Sequence, residues 1–410
     1  MSLMAVFAAT LMAMSNASAD CAAGLNSHAH SFGKIRAESF SFLDDALSEV
    51  RVLGYGEDTH GTAQFTQLAQ ELMVYLIDQH EFRIFVIETG FGEGQYLNDY
   101  IHGRRTDLDV VLAEHNSTWR YTTTEFRDLL NALRRYNETH LQKIDLYGSE
   151  MQYVISDANR IRDYLDDADS VYQFEGFDKH LWQDFEDGEK IDYFLSYAKL
   201  RQHFTDNRKA FENRTSKERF ALALHHVDVL GQFVTAINQN VEQRKHDLRD
   251  LYIAENIQWI LDYHGRQSKA LYWAHNAHVG DWVDNGIVDV AGHQLRKSLG
   301  SAYFNIATDF GTGAFRAFSQ DWRMQTYRHV KVEAGTFSEC LKVLGKPNVF
   351  VNIREARKNP ELVSDLDADL TTMSGAGAQV RETRTETNGI GRAFDGILYL
   401  DSTSEITSLE

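Results

Sequence analysis

Short apolar runs alternate with amphipathic helical patterns along most of the chain. The runs are rich in Val, Ile, Phe and Tyr, and continuous apolar runs of this length are typical of buried parallel strands. Between the first two runs, the segment 62–80 has Phe65, Leu68, Leu72, Tyr75 and Leu76 at helical spacing. A strand, a helix and a strand in this order form a βαβ unit. The predicted strands are residues 51–56, 83–88, 143–148, 270–274, 303–307 and 396–400.

The stretch 177–265 has a different pattern. It has no strand-like run, it is dense in charged and amide residues, and Ile253, Ile257, Ile260 and Leu261 follow helical spacing. We interpret it as a helical subdomain inserted between strands. The predicted fold class is therefore α/β, with a mostly parallel sheet, helices on both of its faces and an inserted helical subdomain. The predicted domains are a signal peptide at 1–19, an α/β catalytic domain at 20–176 and 266–410, and the helical insertion at 177–265.

The chain begins with an apolar run. Residues 3–14 contain Thr10 as their single polar residue, and Ala17-Ser18-Ala19 follows with the A-x-A pattern of a signal-peptidase site. The run is too short to cross a bilayer. This pattern predicts an exported protein, periplasmic or secreted. In such a compartment Cys21 and Cys340 could pair, although their spacing alone does not decide it.

The charge balance restricts the class of partner. Among 410 residues, 41 are Lys or Arg and 60 are Asp or Glu, which gives a formal net charge of −19. This excess of acid argues against nucleic acid and against an anionic membrane surface as partners. We also expect no second apolar segment long enough to cross a membrane, and hence no stable membrane insertion. A neutral or cationic small molecule is the expected ligand.

Several common catalytic motifs are absent from the sequence. It contains no G-x-S-x-G elbow, no P-loop, no G-x-G-x-x-G after a strand and no Cys-pair zinc spacing. A serine hydrolase, a nucleotide-binding enzyme and a Rossmann dehydrogenase are therefore poorly supported.

Acidic and histidine side chains follow three of the predicted strands. Glu57 and His60 follow the first, Glu88 closes the second, and His275 and His278 follow the strand 270–274. Because open α/β sheets bind ligands at the carboxyl ends of their strands, we expect these side chains along one edge. An imidazole there can take a proton from water at neutral pH. Alternatively, the imidazoles and carboxylates could ligate a divalent metal, and the residue types leave both chemistries open.

The motifs around these residues resemble the erythromycin esterase family. The resemblance runs from about Val52 to Leu400 and is weaker in the helical insertion. The matching motifs are Gly56-Glu57-x-Thr59-His60-Gly61, Ile87-Glu88, Asn98-Asp99-Tyr100-Ile101-x-Gly103, Trp119 with Glu125, Leu133-Arg134-x-Tyr136-Asn137, His275-Asn276-x-His278 and Phe394-Asp395-Gly396-Ile397-Leu398-Tyr399.

This resemblance implies a metal-independent carboxylic ester hydrolase that opens a macrolide lactone with water, an antibiotic-resistance activity that needs no cofactor. His60 matches the general base of the family. Glu57 and Glu88 match acids that orient this base and the water. His275 and His278 match a second motif that polarises the carbonyl group or protonates the leaving alkoxide.

Two further residues and two other functions also follow from the resemblance. Trp119 and Asn276 are predicted substrate contacts, although Trp119 could instead pack in the core. The wider group of relatives includes metal-dependent and haem-binding proteins, and some members carry a succinoglycan or polysaccharide biosynthesis label. The alternatives are therefore a metal-dependent hydrolase with the same two glutamates and three histidines as ligands, or a non-catalytic protein that binds haem or a saccharide.

Overall fold

The computed structural model of the protein describes residues 19–113, 118–284, 288–332, 336–367, 377–380 and 389–409. The predicted signal peptide lies outside the described residues, apart from Ala19. The strands are β1 (Ala29–Ser31), β2 (Val52–Glu57), β3 (Ile84–Gly90), β4 (Asp145–Glu150), β5 (Ala270–His275), β6 (Val283–Asp284), β7 (Val288–Asp289), β8 (Tyr303–Phe318), β9 (Met324–His329), β10 (Asn348–Asn352) and β11 (Gly396–Thr403).

Helices separate most of these strands, and the predicted α/β fold class is confirmed. The helices are α1 (Asp44–Leu47), α2 (Ala63–His80), α3 (Phe91–Ile101), α4 (Leu108–Ala113), α5 (Thr124–Thr139), α6 (Ile155–Ala168), α7 (Asp187–Arg214), α8 (Lys217–Ile237), α9 (Glu242–His264), α10 (Asn276–Val279), α11 (Ala291–Leu299), α12 (Phe337–Val343), α13 (Ile353–Ala356), α14 (Pro360–Asp367) and α15 (Ile390–Ala393). Short 3-10 turns occur at Asn26–His28, Ala37–Leu43, Thr118–Arg120 and Gly300–Ala302.

The chain divides into two compact units. The first comprises the described parts of 1–83, 122–129 and 267–410, and the second comprises 84–121 and 130–266. The second unit thus contains β3 and β4 together with the helices of the segment 177–265. Each unit is a set of residues that contact one another more than they contact the rest of the chain. The domain boundaries predicted from the sequence stay a prediction.

The first unit contains a sheet with the strand order β1-β10-β11-β8-β2-β5. Its inner pairs, β11 with β8, β8 with β2 and β2 with β5, are parallel, as predicted from their apolar runs. Every residue of β2 is buried, as expected for a strand covered on both faces. Glu57 lies beside His275 in the register of β2 and β5, so both strands end at the same edge.

In the second unit, β3 and β4 pair in parallel, and α7, α8 and α9 fill most of the predicted helical segment. Contrary to the expectation from the sequence, one helix in the described part of the chain, α8, is long and apolar enough to cross a membrane. However, 72% of its apolar stretch is buried inside the fold. Burial to this extent is typical of a core helix.

Several antiparallel strands were not predicted from the sequence. β1, β9 and β10 are antiparallel additions to the sheet, and β8 continues beyond the predicted 303–307 to form a hairpin with β9. β1 has three residues and β9 carries many exposed polar residues, so neither has the apolar run of a central strand. β10 has only a short buried run, Val349 to Val351, between two asparagines. The structure also pairs Cys21 with Cys340, and their Cα atoms are 5.9 Å apart.

Candidate active site

The turn of residues 57–61, which directly follows β2, carries a histidine paired with an acid. Glu57 and His60 are 4% and 8% exposed, and His60 Nδ1 lies 2.5 Å from Glu57 Oε1. A carboxylate oxygen can only accept a hydrogen bond, so Nδ1 carries the proton. The basic lone pair of neutral His60 is then on Nε2. This arrangement orients an imidazole for general-base chemistry.

The second carboxylate oxygen of Glu57 is also held. Trp273, a buried residue of β5, donates a hydrogen bond from Nε1 to Glu57 Oε2 at 2.9 Å. Because both oxygens have a donor, the carboxylate is fixed in one orientation and is stabilised in its charged form. Trp273 was not predicted as a site residue, because it lies inside an apolar run of the sequence.

Backbone hydrogen bonds fix the turn itself. Asp58 N donates to Thr308 Oγ1 at 3.0 Å, and the carbonyl of Gly61 accepts from the backbone N–H groups of Arg316 at 3.1 Å and Ile406 at 3.0 Å. A Cβ atom at position 61 would lie 1.8 Å from the carbonyl oxygen of Arg316. Glycine is therefore required beside His60 for this close approach.

His275 lies next to this turn, but both of its ring nitrogens are engaged. Nε2 is 3.0 Å from the carbonyl oxygen of Asp58, to which it donates, and Nδ1 accepts from the backbone N–H of Ala277 at 3.1 Å. These partners fix a neutral ring with its proton on Nε2. The ring centroids of His275 and His60 are 5.4 Å apart. Protonation or polarisation of a substrate by His275 would require breaking its bond to Asp58, and its predicted catalytic role stays a prediction.

Asn276 is held by buried hydrogen bonds within the protein, and its predicted substrate contact stays a prediction. Its side chain is wholly buried; Nδ2 donates to the carbonyl of Thr308 at 2.9 Å, and Oδ1 accepts from the Thr308 N–H at 3.2 Å. Both ends of the amide are thus used to join the start of α10 to β8. A substrate would have to compete with these buried hydrogen bonds.

Two other predicted residues are half-buried. His278 lies on α10, close in sequence to His275, and Trp119 lies in the 3-10 turn Thr118–Arg120 of the second unit. Their roles in catalysis and substrate binding stay predictions.

Glu88, in the second unit, is held by two arginines. It is buried near the end of β3, with Arg249 Nη2 at 2.8 Å from Oε1 and Arg120 Nη1 at 3.2 Å from Oε2. Its backbone carbonyl also accepts from the hydroxyl of Tyr121 at 3.0 Å. Two guanidinium groups at these distances keep the carboxylate ionised.

A second buried acid shares one of these arginines. Glu150 ends β4, is completely buried and forms a bidentate pair with Arg249, whose Nε lies 3.0 Å from Glu150 Oε2. Burial alone would lower the pKa of Arg249, but Glu150 and Glu88 raise that pKa well above its ordinary value. Together with Arg120, the cluster contains two acids and two arginines, so its formal charges balance. No pattern in the sequence indicates that Arg249, in the helical segment, would pair with acids at the ends of two strands.

Residues 77–403 of the chain match the family model described as erythromycin esterase. The chain belongs to the erythromycin esterase family. The resemblance seen in its motifs is thereby confirmed. Among proteins of this kind, erythromycin esterase type II of Escherichia coli is 25% identical over 411 residues, which cover 90% of this chain and 93% of the relative. The putative hydrolase YbfO of Bacillus subtilis (strain 168) is 21% identical over 345 residues, which cover 76% of each chain.

Solved structures show the same fold. A Bacillus cereus protein superposes with a TM-score of 0.85 at 20% identity over 96% of this chain and 99% of that chain. A succinoglycan biosynthesis protein gives 0.79 at 19% identity, over 95% and 98% of the two chains. The erythromycin esterase EreC, as a histidine-to-asparagine mutant in its open conformation, gives 0.67 at 14% identity, over 90% and 95%.

Membership of the erythromycin esterase family supports a hydrolase that acts on a small molecule. The structure brings Glu57, His60 and His275 together in the first unit, while Glu88 belongs to the second, so the predicted approach of Glu88 to His60 stays a prediction. Within the described ranges, no three His, Cys, Asp or Glu side chains are grouped to hold a metal ion. The metal-dependent and haem-binding alternatives are left to experiment.

Proposed function

We propose that the protein hydrolyses an ester or macrolactone by general-base attack of water, with His60 as the base. The observation that carries this proposal is the contact of 2.5 Å between His60 Nδ1 and Glu57 Oε1, in a pair that Trp273 fixes from the other side. It leaves Nε2 as the basic atom of the neutral ring.

The reaction balances with these groups alone. His60 Nε2 takes a proton from water while the water oxygen bonds to the acyl carbon. The resulting imidazolium, stabilised by the Glu57 carboxylate, returns the proton to the leaving alkoxide as the acyl–oxygen bond breaks. A lactone would give one ring-opened hydroxy acid, heavier by one water. General-base catalysis of this kind contributes roughly 10²–10⁴-fold to a rate.

A macrolide is the first substrate to test. The support is the name of the Escherichia coli relative, erythromycin esterase type II, and the net charge of −19, which suits a neutral or cationic molecule. Incubation with a panel of macrolides and simple aryl esters, followed by mass spectrometry, would detect products that have gained one water. An antibiotic-resistance role would follow from macrolide turnover.

Replacement of His60 tests the mechanism. The His60→Asn variant should lose at least about 100-fold in kcat/KM, because it lacks the base. His102→Asn is a matched control, since His102 also pairs with a carboxylate, Asp145, at 2.9 Å, but lies in the second unit at the end of α3. Ordinary turnover by His60→Asn, with an intact fold, would remove His60 from the mechanism.

The proposed reaction needs no cofactor. Activity should survive dialysis against a chelator, and the purified protein should show no Soret band. Loss of activity on chelation, with recovery on adding a divalent metal, would favour the metal-dependent alternative instead.

We further propose that the protein is exported. The disulfide between Cys21 and Cys340 supports this, because such bonds persist in oxidising compartments. Fractionation of cells and the mass of the purified chain test it, with cleavage expected after Ala19. A cytoplasmic protein that keeps residues 1–19 would contradict the proposal.

A further inference from the structure

A cavity of about 280 Å³ lies in the first unit, at the amino ends of β8 and β11. Since β8 and β11 run parallel to β2, this edge of the sheet is opposite to the edge that carries the turn of residues 57–61. Pockets for drug-sized molecules begin at about 300 Å³. A ligand of this cavity is therefore a small one, and it would bind away from the candidate active site.

Positive charge predominates on the lining of this cavity. Its charged residues are four arginines and two aspartates, namely Arg296, Arg354, Arg357, Arg392, Asp281 and Asp395. The chain as a whole has a formal net charge of −19, so this excess of guanidinium groups is local. An anion that the rest of the chain would repel is thus favoured at this place.

Both aspartates are already bound by the protein. Asp395 Oδ1 accepts from Arg354 Nε at 2.8 Å. Its Oδ2 accepts from the backbone N–H of Asn305 at 3.0 Å and from Arg296. Asp281 Oδ2 accepts from Arg296 Nε at 3.1 Å. The two carboxylates therefore hold two guanidinium groups in place at the wall, and these ion pairs compensate their negative charge.

The arginines at the wall have N–H groups to offer a ligand. Arg354 is half-buried and uses Nε and Nη2 for its bonds to Asp395 and to the carbonyl of Tyr303, whereas its Nη1 has no hydrogen-bond partner among the residues that the structure describes. A guanidinium has five N–H donors, so an arginine can keep a protein partner and still donate to an anion.

Arg357 and Arg392 add the excess positive charge. Arg357 follows α13 and is half-buried, and Arg392 is an exposed residue of α15. A Cβ atom at Gly391 would lie 2.9 Å from Arg357 Nη1, so the glycine leaves space for this guanidinium beside the backbone of α15. Both arginines also interact with other groups of the protein, and they remain charged at any pH at which the protein is folded.

We propose that this cavity binds a phosphate group. Its arginines come from α11, from α13 and the residue after it, and from α15. A tetrahedral oxyanion can accept hydrogen bonds from several directions, whereas a planar carboxylate is satisfied by one bidentate arginine. The phosphate group has two possible sources, free inorganic phosphate or a small phosphate monoester. Neither source depends on the proposed ester hydrolysis.

Isothermal titration calorimetry with inorganic phosphate tests the binding, at constant ionic strength and at about pH 8, where phosphate is mainly a dianion. The wild-type protein should bind with a Kd of about 1 mM or lower. Arg392→Gln and Arg357→Gln should each weaken binding by about five-fold or more, because each removes one positive charge and its donors.

Arg323→Gln is the matched control. It removes the same charge from an exposed residue of the first unit that does not line the cavity, so the affinity for phosphate should stay within about two-fold of wild type. Circular dichroism establishes that each variant is folded. If Arg357→Gln does not fold, Arg392→Gln decides the test, because Arg392 is exposed.

Phenyl phosphate distinguishes the two sources. An affinity similar to that for inorganic phosphate, with the same dependence on Arg392, would identify a site for the phosphate group of a monoester. An affinity that is weaker by about ten-fold or more would identify a site for the free ion.

The proposal is overturned if the wild-type protein does not bind phosphate at concentrations up to about 10 mM. Equal weakening by Arg392→Gln and Arg323→Gln would also overturn it, since binding would then depend on net charge alone. Acetate that binds as tightly as phosphate would show that the site takes a carboxylate instead.

Discussion

The hydrogen bond from Trp273 to Glu57 offers a direct test of the paired histidine. Trp273→Phe keeps an aromatic ring in the core and removes the N–H that lies 2.9 Å from Glu57 Oε2. A hydrogen bond to a charged group contributes about 1.5–3 kcal/mol, so we expect the free energy of unfolding to fall by about this amount. Without its donor, the buried Glu57 holds and stabilises the His60 imidazolium less well. We therefore expect kcat/KM to fall by about ten-fold or more, because 1.36 kcal/mol corresponds to a factor of ten.

Chemical denaturation and steady-state kinetics measure both effects, and two comparisons isolate the cause. Trp182→Phe is a matched control in the second unit, where the indole N–H donates to Gln152 Oε1 at 2.8 Å, and its kcat/KM should stay within about two-fold of wild type. In a Glu57→Gln background, Trp273→Phe should lower the free energy of unfolding by at least about 1 kcal/mol less than it does in the wild type, because the acceptor is no longer charged. Equal costs in the two backgrounds would refute the reasoning.

Three other changes have defined outcomes. Glu57→Gln should move the acid limb of the kcat/KM profile to lower pH, because the carboxylate favours the imidazolium form of His60. Cys340→Ser, which breaks the bond to Cys21, should lower the free energy of unfolding by roughly 2–5 kcal/mol, and a reductant should do the same to the wild type. Burial holds the pKa of His225 well below its ordinary value, so the unfolded chain binds a proton that the folded chain does not bind as pH falls below about 6.5. The difference in unfolding free energy between His225→Phe and wild type should therefore shift by about 1.6 kcal/mol in favour of the variant between pH 6.5 and pH 5.

The central part of the fold was predictable because its signals are local. The buried strands are continuous apolar runs, as in β2 and β5, and their parallel pairing follows from the alternation with helices. The β8–β9 hairpin was not predictable, because Met324–His329 has many exposed polar residues and pairs along one side only. The pairing of Cys21 with Cys340 depends on residues 319 positions apart, a distance over which sequence patterns carry no information.

For the candidate site, the sequence predicted which types of residue take part and at which strand ends they lie. The sequence located Glu57, His60 and His275 at adjacent strand ends, and the structure brings them together. The sequence could not show which ring nitrogen of each histidine bonds to which partner. His60 bonds to the carboxylate through Nδ1, whereas His275 uses both nitrogens on backbone groups. These differences depend on side-chain rotation, which the spacing of residues does not encode.

The two buried acids Glu57 and Glu88 have different partners, and we therefore expect their loss to have different effects on stability. Glu57 is paired with an imidazole, which titrates near neutral pH, whereas Glu88 is paired with the guanidinium groups of Arg120 and Arg249, which stay charged. Glu57→Gln leaves a neutral histidine and weakens two hydrogen bonds, so the expected loss of stability is about 1–2 kcal/mol. Glu88→Gln leaves an excess positive charge in a buried cluster, so we expect a loss of about 3 kcal/mol or more. Denaturant titrations of both variants at pH 7 measure this difference. Equal losses would mean that solvent or another group neutralises the arginines, and Glu88 would then not be the fixed negative charge that its two ion pairs indicate.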